Sequence, residues 1–145
     1  MTLTGTYSRA LDEKQRLAVP KRLREQFGAE QIDSLYVAPG TDKSLSLYSP
    51  AAFEELARKL AQQSPNRAEV RNYLRLFYSQ AESVPVDGQG RIRIPERLVA
   101  FAGLQKEIML LGVQDHAEVW DREHWERFVA ANEPGFDDMA SRAFE

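Results

Sequence analysis

Two stretches of this chain carry one phrase: LDEKQRLAVPKRL from Leu11 and VDGQGRIRIPERL from Val86. Setting Asp12 on Asp87, a shift of 75, sets Arg16 on Arg91, Leu17 on Ile92, Val19 on Ile94 and Pro20 on Pro95. Arg22, Leu23 and Gly28 then meet Arg97, Leu98 and Gly103. Further on, a shift of 72 sets Gly40 on Gly112, Leu47 on Val119, Tyr48 on Trp120, Phe53 on Trp125 and Leu56 on Phe128. Glycine, proline and aromatic positions all agree, so a whole folding unit is duplicated, and the chain must fold as two copies of one topology.

Each unit reads alike. A strand enters the Asp-x-x-x-Arg turn, a short strand (RLAV, RIRI) ends at the proline, and a brief helix (KRLREQFG, ERLVAFAG) closes at a glycine C-cap. Two more strands follow, LYVAP with SLSLY and EIMLLG with AEVW. Ser49-Pro50 and Asp121 then open helices, since Ser and Asp are strong N-caps and Pro suits the first helical turn. Between the units, Ser64-Pro65 opens a further helix. Val70, Tyr73, Leu74, Phe77 and Tyr78 form its apolar stripe, and Arg67, Arg71 and Arg75 its basic face. The tail after Pro134 is acidic, shows little periodicity and is read as mobile.

Composition narrows the function. The chain has 145 residues, enough for one or two small domains, with 43% hydrophobic and 28% charged residues. No cysteine is present, which excludes disulfides and thiolate metal sites and fits a reducing cytosol. The longest apolar runs are too short to span a bilayer. No nucleophile motif, phosphate-cradling loop or metal-ligand spacing appears. His116 follows Asp115, and His124 falls at the third position of its helix, where a cap or surface role explains it. The expectation is therefore a cytoplasmic protein that is no enzyme and uses no cofactor, metal, membrane or small-molecule substrate. Tyr48, Phe53, Trp120 and Trp125 occupy matched places in the repeat and are read as strand-helix core packing.

The net charge of −3 hides an asymmetry. Arg9, Lys14, Lys21 and Arg24 of the first copy face Val84, Gln89, Glu96 and Val99 in the second, which has Arg93 in place of Ala18. In both copies the aspartate can accept hydrogen bonds from amides along its turn and a fork from the arginine four residues on. Asp12, Asp87 and Arg91 are therefore read as structural turn clamps. The basic first copy is read as the nucleic-acid face, through Arg16, Lys14, Arg9, Lys21, Arg22 and Arg24, with Arg16 expected to matter more than Arg91.

The doubled Asp-x-x-x-Arg within GTYSRALDEKQRLAVPKRLRE and AESVPVDGQGRIRIPERLVAFAGLQKEIMLLGVQDHAEVWD resembles the MraZ family, bacterial regulators of the division and cell-wall gene cluster. The resemblance runs to about Arg127. It implies an α+β fold in which two SpoVT-AbrB-like β-α-β units form a mixed barrel, with helices after each unit. The expected domains are 5–51 (first unit), 52–80 (connecting helices), 81–124 (second unit) and 125–145 (C-terminal helix and acidic tail). It also implies a nucleoid-associated autorepressor that assembles into a homo-oligomeric ring and binds direct repeats in its own double-stranded promoter DNA. On the family's motif, Lys14 and Arg16 match the DNA-contacting turn. The family carries glycine before the first arginine, where this chain has Gln15; Gly90 keeps the pattern. If that position takes a positive φ, either Gln15 bears a backbone cost or the turn is reshaped. The alternative function is an AbrB-like antitoxin or protein-interaction module. The apolar 65–80 helix is the candidate ring interface.

Overall fold

The computed structural model describes residues 2–28 and 32–145. The first unit contributes β1 (Thr6–Ala10), β2 (Arg16–Ala18), α1 (Lys21–Gln26), β3 (Ser34–Pro39), β4 (Leu45–Tyr48), α2 (Pro50–Ala61) and α3 (Ala68–Gln80). The second contributes β5 (Glu82–Pro85), β6 (Arg91–Arg93), α4 (Glu96–Ala102), β7 (Glu107–Val113), β8 (His116–Asp121), α5 (Arg122–Asn132) and α6 (Phe136–Ala143), with a 3-10 turn at Glu133–Gly135. Among the described residues no helix is long and apolar enough to cross a membrane.

The strands form a six-stranded sheet, β1-β7-β8-β4-β3-β5, and a two-stranded ribbon, β2-β6. The α+β class with two like units stands. The large sheet has two edges, β1 and β5, and among the described residues no ladder joins them, so the expected mixed barrel is not closed. Among the described residues only β3–β4 and β7–β8 pair within a unit; β1–β7, β5–β3, β4–β8 and β2–β6 all cross from one unit to the other. The units are thus interleaved rather than stacked side by side. The ladders also refine the internal alignment. Ser8 pairs with Met109 and its equivalent Ser83 pairs with Tyr36, so Tyr36 corresponds to Met109, a shift of 73. On β4 and β8 the shift is 72, because Tyr36 pairs with Tyr48 and Met109 with Trp120. Pro39, not Gly40, therefore stands in the place of Gly112, and the second hairpin is one residue shorter than the first.

Gly112 has its own reason. Leu3 and Gln114 exchange backbone hydrogen bonds at 2.8 and 2.9 Å, and the Gly112 amide donates to the Gly5 carbonyl at 2.9 Å. The N-terminal segment thereby crosses Gly112 so closely that a Cβ there would lie 2.4 Å from the Thr4 nitrogen.

The core lies between sheet, ribbon and the short helices. Leu17 and Ile92 enter it from the ribbon, Leu23 and Leu98 from α1 and α4, and Leu35, Val37, Leu47, Ile108, Leu110 and Val119 from the sheet. These are matched pairs of the repeat; alternation along β3 and β7 places Leu35 with Val37 and Ile108 with Leu110, whereas β4 is buried along its whole length. The aromatics pack strand to helix: Tyr36 stacks on Phe53 at 4.0 Å, and Trp120 meets Trp125 at 5.2 Å and Phe128 at 5.0 Å.

One helix end is as expected and two differ. Ser49 caps α2 as its Oγ accepts from the Ala52 amide at 3.1 Å. Asp121 precedes α5 but gives that helix no side-chain cap; its Oδ1 accepts from the Gln105 amide at 3.0 Å, tying the loop after α4 to β8. The helix expected from Ser64-Pro65 begins at Ala68, residues 65–67 being a turn. The tail is not shapeless either. Phe136, Met139, Ala140 and Ala143 follow i, i+3, i+4, i+7 and form one stripe on α6, a pattern only two turns long and diluted by acidic neighbours.

Interleaving predicts that neither half folds as a monomer. Residues 2–80 alone retain the β3–β4 hairpin but lose β7 and β6, the partners of β1 and β2, and β5 and β8, which flank that hairpin, and a lone hairpin is marginal in water. Fragments 2–80 and 81–145 should each be unfolded or self-paired, and mixing them should restore a 1:1 complex by circular dichroism and light scattering. A folded monomeric half would contradict the topology.

Candidate nucleic-acid interface

The two copies of the turn superimpose in their hydrogen bonds. Asp12 Oδ1 accepts from the amides of Lys14 at 2.9 Å and Arg16 at 2.8 Å, and Oδ2 accepts from Arg16 Nε at 2.7 Å. Asp87 does the same with the amides of Gln89 and Arg91 and with Arg91 Nε, all at 2.9 Å. The backbone closes each turn as well: Gln15 N–H donates to Asp12 O and Gly90 N–H to Asp87 O, both at 2.9 Å. The Arg16 amide, aided by its side chain and the Lys14 amide, holds the Asp12 carboxyl below the ordinary aspartate value. The Arg91 amide, aided by the Arg91 side chain and the Gln89 amide, lowers Asp87.

Gln15 has φ +62° and Gly90 φ +78°. The first turn is therefore not reshaped by the missing glycine; Gln15 takes the left-handed conformation, at a cost of about 1–2 kcal/mol. Gly90 also lies under the Arg24 guanidinium, which a side chain there would displace. A Cβ there would lie 2.7 Å from Arg24 Cζ and 2.8 Å from Arg24 Nε.

The turns feed a single ribbon. Arg16 pairs with Arg93, Leu17 with Ile92, and Ala18 with Arg91. Val19 N–H donates to Gly90 O and Ile94 N–H to Gln15 O, both at 2.9 Å, which extends the pairing symmetrically at each end. Leu17 and Ile92 are buried, so by the alternation of a strand Arg16, Arg91 and Arg93 share the opposite, open face. Arg16 and Arg91 spend only Nε on their aspartates; no protein partner among the described residues holds their terminal nitrogens. Arg93 is exposed and unpaired among the same residues.

The expected basic residues divide between the turns. Lys14 and Arg16 line a cleft beside the first turn, with Val99, Leu104, Gln105 and Lys106 of the second unit opposite. Lys21 and Arg24 line a cleft beside the second turn, with Asp33, Asp87 and Gly88. Arg24 Nε donates to Val19 O at 3.0 Å. Arg22 is exposed on α1. Arg9 sits on edge strand β1 and folds its guanidinium onto Ser8 O at 2.7 Å. Two separate faces, one per copy, do not exist: interleaving carries α1 to the second turn and joins Arg16 and Arg91 on one ribbon. Lys106 was not singled out from sequence. Its carbonyl accepts from the Leu11 amide as Asp33 accepts from Val86, both at 2.8 Å, so a lysine flanks the first turn where an aspartate flanks the second. Only the register that aligns residue 33 with residue 106 reveals that swap.

His116 lies apart from this face. Its Nδ1 is 2.8 Å from Asp115 and its Nε2 3.1 Å from Glu118; Glu118, and then Asp115, raise its pKa against the opposing effect of burial.

A family model described as "MraZ protein, putative antitoxin-like" matches twice, over residues 2–76 and 77–145. Among curated relatives, the transcriptional regulator MraZ of Finegoldia magna is 34% identical over 92% of this chain and 91% of its own. Those of Cutibacterium acnes and Ligilactobacillus salivarius are 36% and 37% identical, each over 97% of this chain and 96% of theirs.

Two outcomes follow from the turns. Gly90→Ala should cost about 1–2 kcal/mol from its left-handed backbone, plus a steric part from Arg24. In an Arg24→Ala background the loss should shrink, a non-additivity that urea denaturation of the four proteins measures; strict additivity would remove Arg24 from the account. The second outcome concerns acid. Since both aspartates have lowered folded pKa values, their contribution to stability is full above the ordinary value of about 3.9 and is lost as pH falls through the folded values. Carboxyl NMR titration should place both below that ordinary value, and Asp12→Asn with Asp87→Asn should flatten acid unfolding in that window. Titration at or above it would refute the clamp electrostatics.

Proposed function

The chain belongs to the MraZ family, and from that membership we propose that it is a sequence-specific DNA-binding transcription regulator whose β2–β6 ribbon enters the major groove. The observation that carries this reading is the shared face of Arg16, Arg91 and Arg93. Two strands lie about 4.8 Å apart, and a groove about 12 Å wide admits such a ribbon. Tying Arg16 and Arg91 through Nε leaves their terminal nitrogens directed as a fork, the geometry that reads guanine O6 and N7. Lys14 and Lys106 flank the first turn, where they meet phosphates. Lys21 and Arg22 on α1, and Arg9 on β1, supply the outer phosphate contacts, and Arg24 supports the second turn through Val19. On this reading the protein is a cytoplasmic, nucleoid-associated autorepressor of the division and cell-wall cluster. It binds direct repeats in its own promoter as a ring, so that several ribbons engage several repeats and their contacts multiply.

The test is binding to the DNA upstream of its own gene at several salt concentrations, with Arg16→Ala, Arg91→Ala and Arg93→Ala compared. A base-reading arginine should cost about 1–3 kcal/mol at one base pair. A phosphate contact should weaken all sequences alike and lower the salt slope by about one. Lys106→Ala should act in the second way. Binding that none of the three arginine variants weakens would refute the ribbon. An absence of DNA binding even at low salt would move the protein to the antitoxin-like, protein-binding reading.

A further inference from the structure

The two units differ in what covers the outer side of the sheet. In the first, α2 lies over β3 and β4, and α3 turns back against β3 beside it. Phe53 stacks on Tyr36 at 4.0 Å, and Phe77 of α3 closes over Phe53 at 6.1 Å and is buried. In the second unit Met109 stands in the place of Tyr36 and Trp125 in the place of Phe53. Among the described residues no helix closes over them. With Ser8, Arg122, Val129 and Ala130 they line an open cleft of about 410 Å³. That cleft is the second unit's counterpart of the seat α3 occupies in the first.

Chain order supplies a counterpart for α3 too, since α6 follows α5 as α3 follows α2. Its apolar stripe is unpartnered: Phe136 is 66% exposed, Met139 46% and Phe144 91%. None of the three lines the cleft. The connections explain why. Residues 62–67 separate α2 from α3 and let the chain reverse. Between α5 and α6 stands one 3-10 turn; Asn132, Glu133 and Phe136 keep right-handed helical angles, and Gly135, at φ −95° and ψ 14°, stays near them. A chain without an extended residue there does not turn back on α5. Each copy thus carries one empty helix seat and one unseated apolar helix, and cannot join them within itself.

We propose that α6 of one copy seats in the cleft between β7 and α5 of a second copy, in the place that α3 fills in the first unit. Phe136, Met139 and Phe144 enter against Met109, Trp125 and Val129, while Asp138 lies on the helix face away from the stripe and stays in water. The helix belongs to one partner and the cleft to the other. The joint is therefore head-to-tail and can repeat from copy to copy until a ring closes. This inference rests on the self-assembly in the proposed function and names the two surfaces that perform it.

Light scattering behind size exclusion tests it on the whole chain, with Met139→Asp on the exposed face of α6 and Ala130→Glu at the exposed rim of the cleft. Both positions are open, and unchanged circular dichroism verifies folding. Each variant should weaken association by ~100-fold or more and run as a monomer. A 1:1 mixture should recover a dimer and stop there, because the first variant keeps its cleft and the second its helix. Fluorescence gives an independent reading. Of the two tryptophans Trp120 is already buried, so a blue shift of the wild type on concentration reports the covering of Trp125. A wild-type oligomer whose mass both variants retain overturns the α6 joint and leaves ring assembly standing. A wild type that stays monomeric at every concentration overturns both. Met139→Asp should still bind a single DNA repeat as well as the wild type does, which separates a failure of this joint from a failure of the DNA-binding reading.

Discussion

The pairing of β2 with β6 is the contact on which the rest of this structure depends. Three residues from each copy meet antiparallel, and the amides just beyond them, Val19 and Ile94, close onto the turn residues of the opposite copy. One side of this ribbon places Leu17 and Ile92 in the core, and the other displays three arginines. A two-residue buried stripe contributes roughly 3–6 kcal/mol of hydrophobic stabilisation, far more than the exposed ion pairs around it. The apolar side thus holds the ribbon down, and the charged side is carried by it.

Arginine costs entropy to order, with about 2 kcal/mol of rotamer freedom in each side chain. The aspartate clamps remove much of that freedom before any ligand arrives. Asp12 and Asp87 fix the turn through two amides and the side chain through Nε, so one carboxylate organises both backbone and guanidinium. Gln15 shows how strongly the turn is determined: a residue with a Cβ adopts φ +62° rather than break the pattern. Strain of this kind persists where the surroundings over-determine the geometry. Here they do so through the Asp12 carboxylate and the ladder to Ile94.

Duplication made the units alike, and the departures from likeness carry the specific chemistry. Lys106 and Asp33 occupy matching places and give the two turns opposite flanking charge. The two helix connections differ in length, so α3 closes one unit and α6 leaves the other open. Neither departure disturbs the core, because the matched apolar residues from Leu17 and Ile92 to Val119 are shared between the copies. The surface was free to diverge where packing did not resist it.

The sequence alone determined the duplicated unit, the Asp-x-x-x-Arg turns and the strand-to-helix packing of Tyr48, Phe53, Trp120 and Trp125. All of these are local: periodicity, turn chemistry and matched spacing act over a few residues and repeat after about seventy. It left the partnership of the strands open, because which strand pairs with which is settled by long-range contacts that no short window encodes. Hence the copies read as separate faces although the fold joins Arg16, Arg91 and Arg93, and Lys21 and Arg24 read as neighbours of the first turn although they stand at the second. The diversion of Asp121 to Gln105 belongs to the same class. Each was decided by competition between a local preference and a distant partner, and only the tertiary structure brings the distant partner within reach.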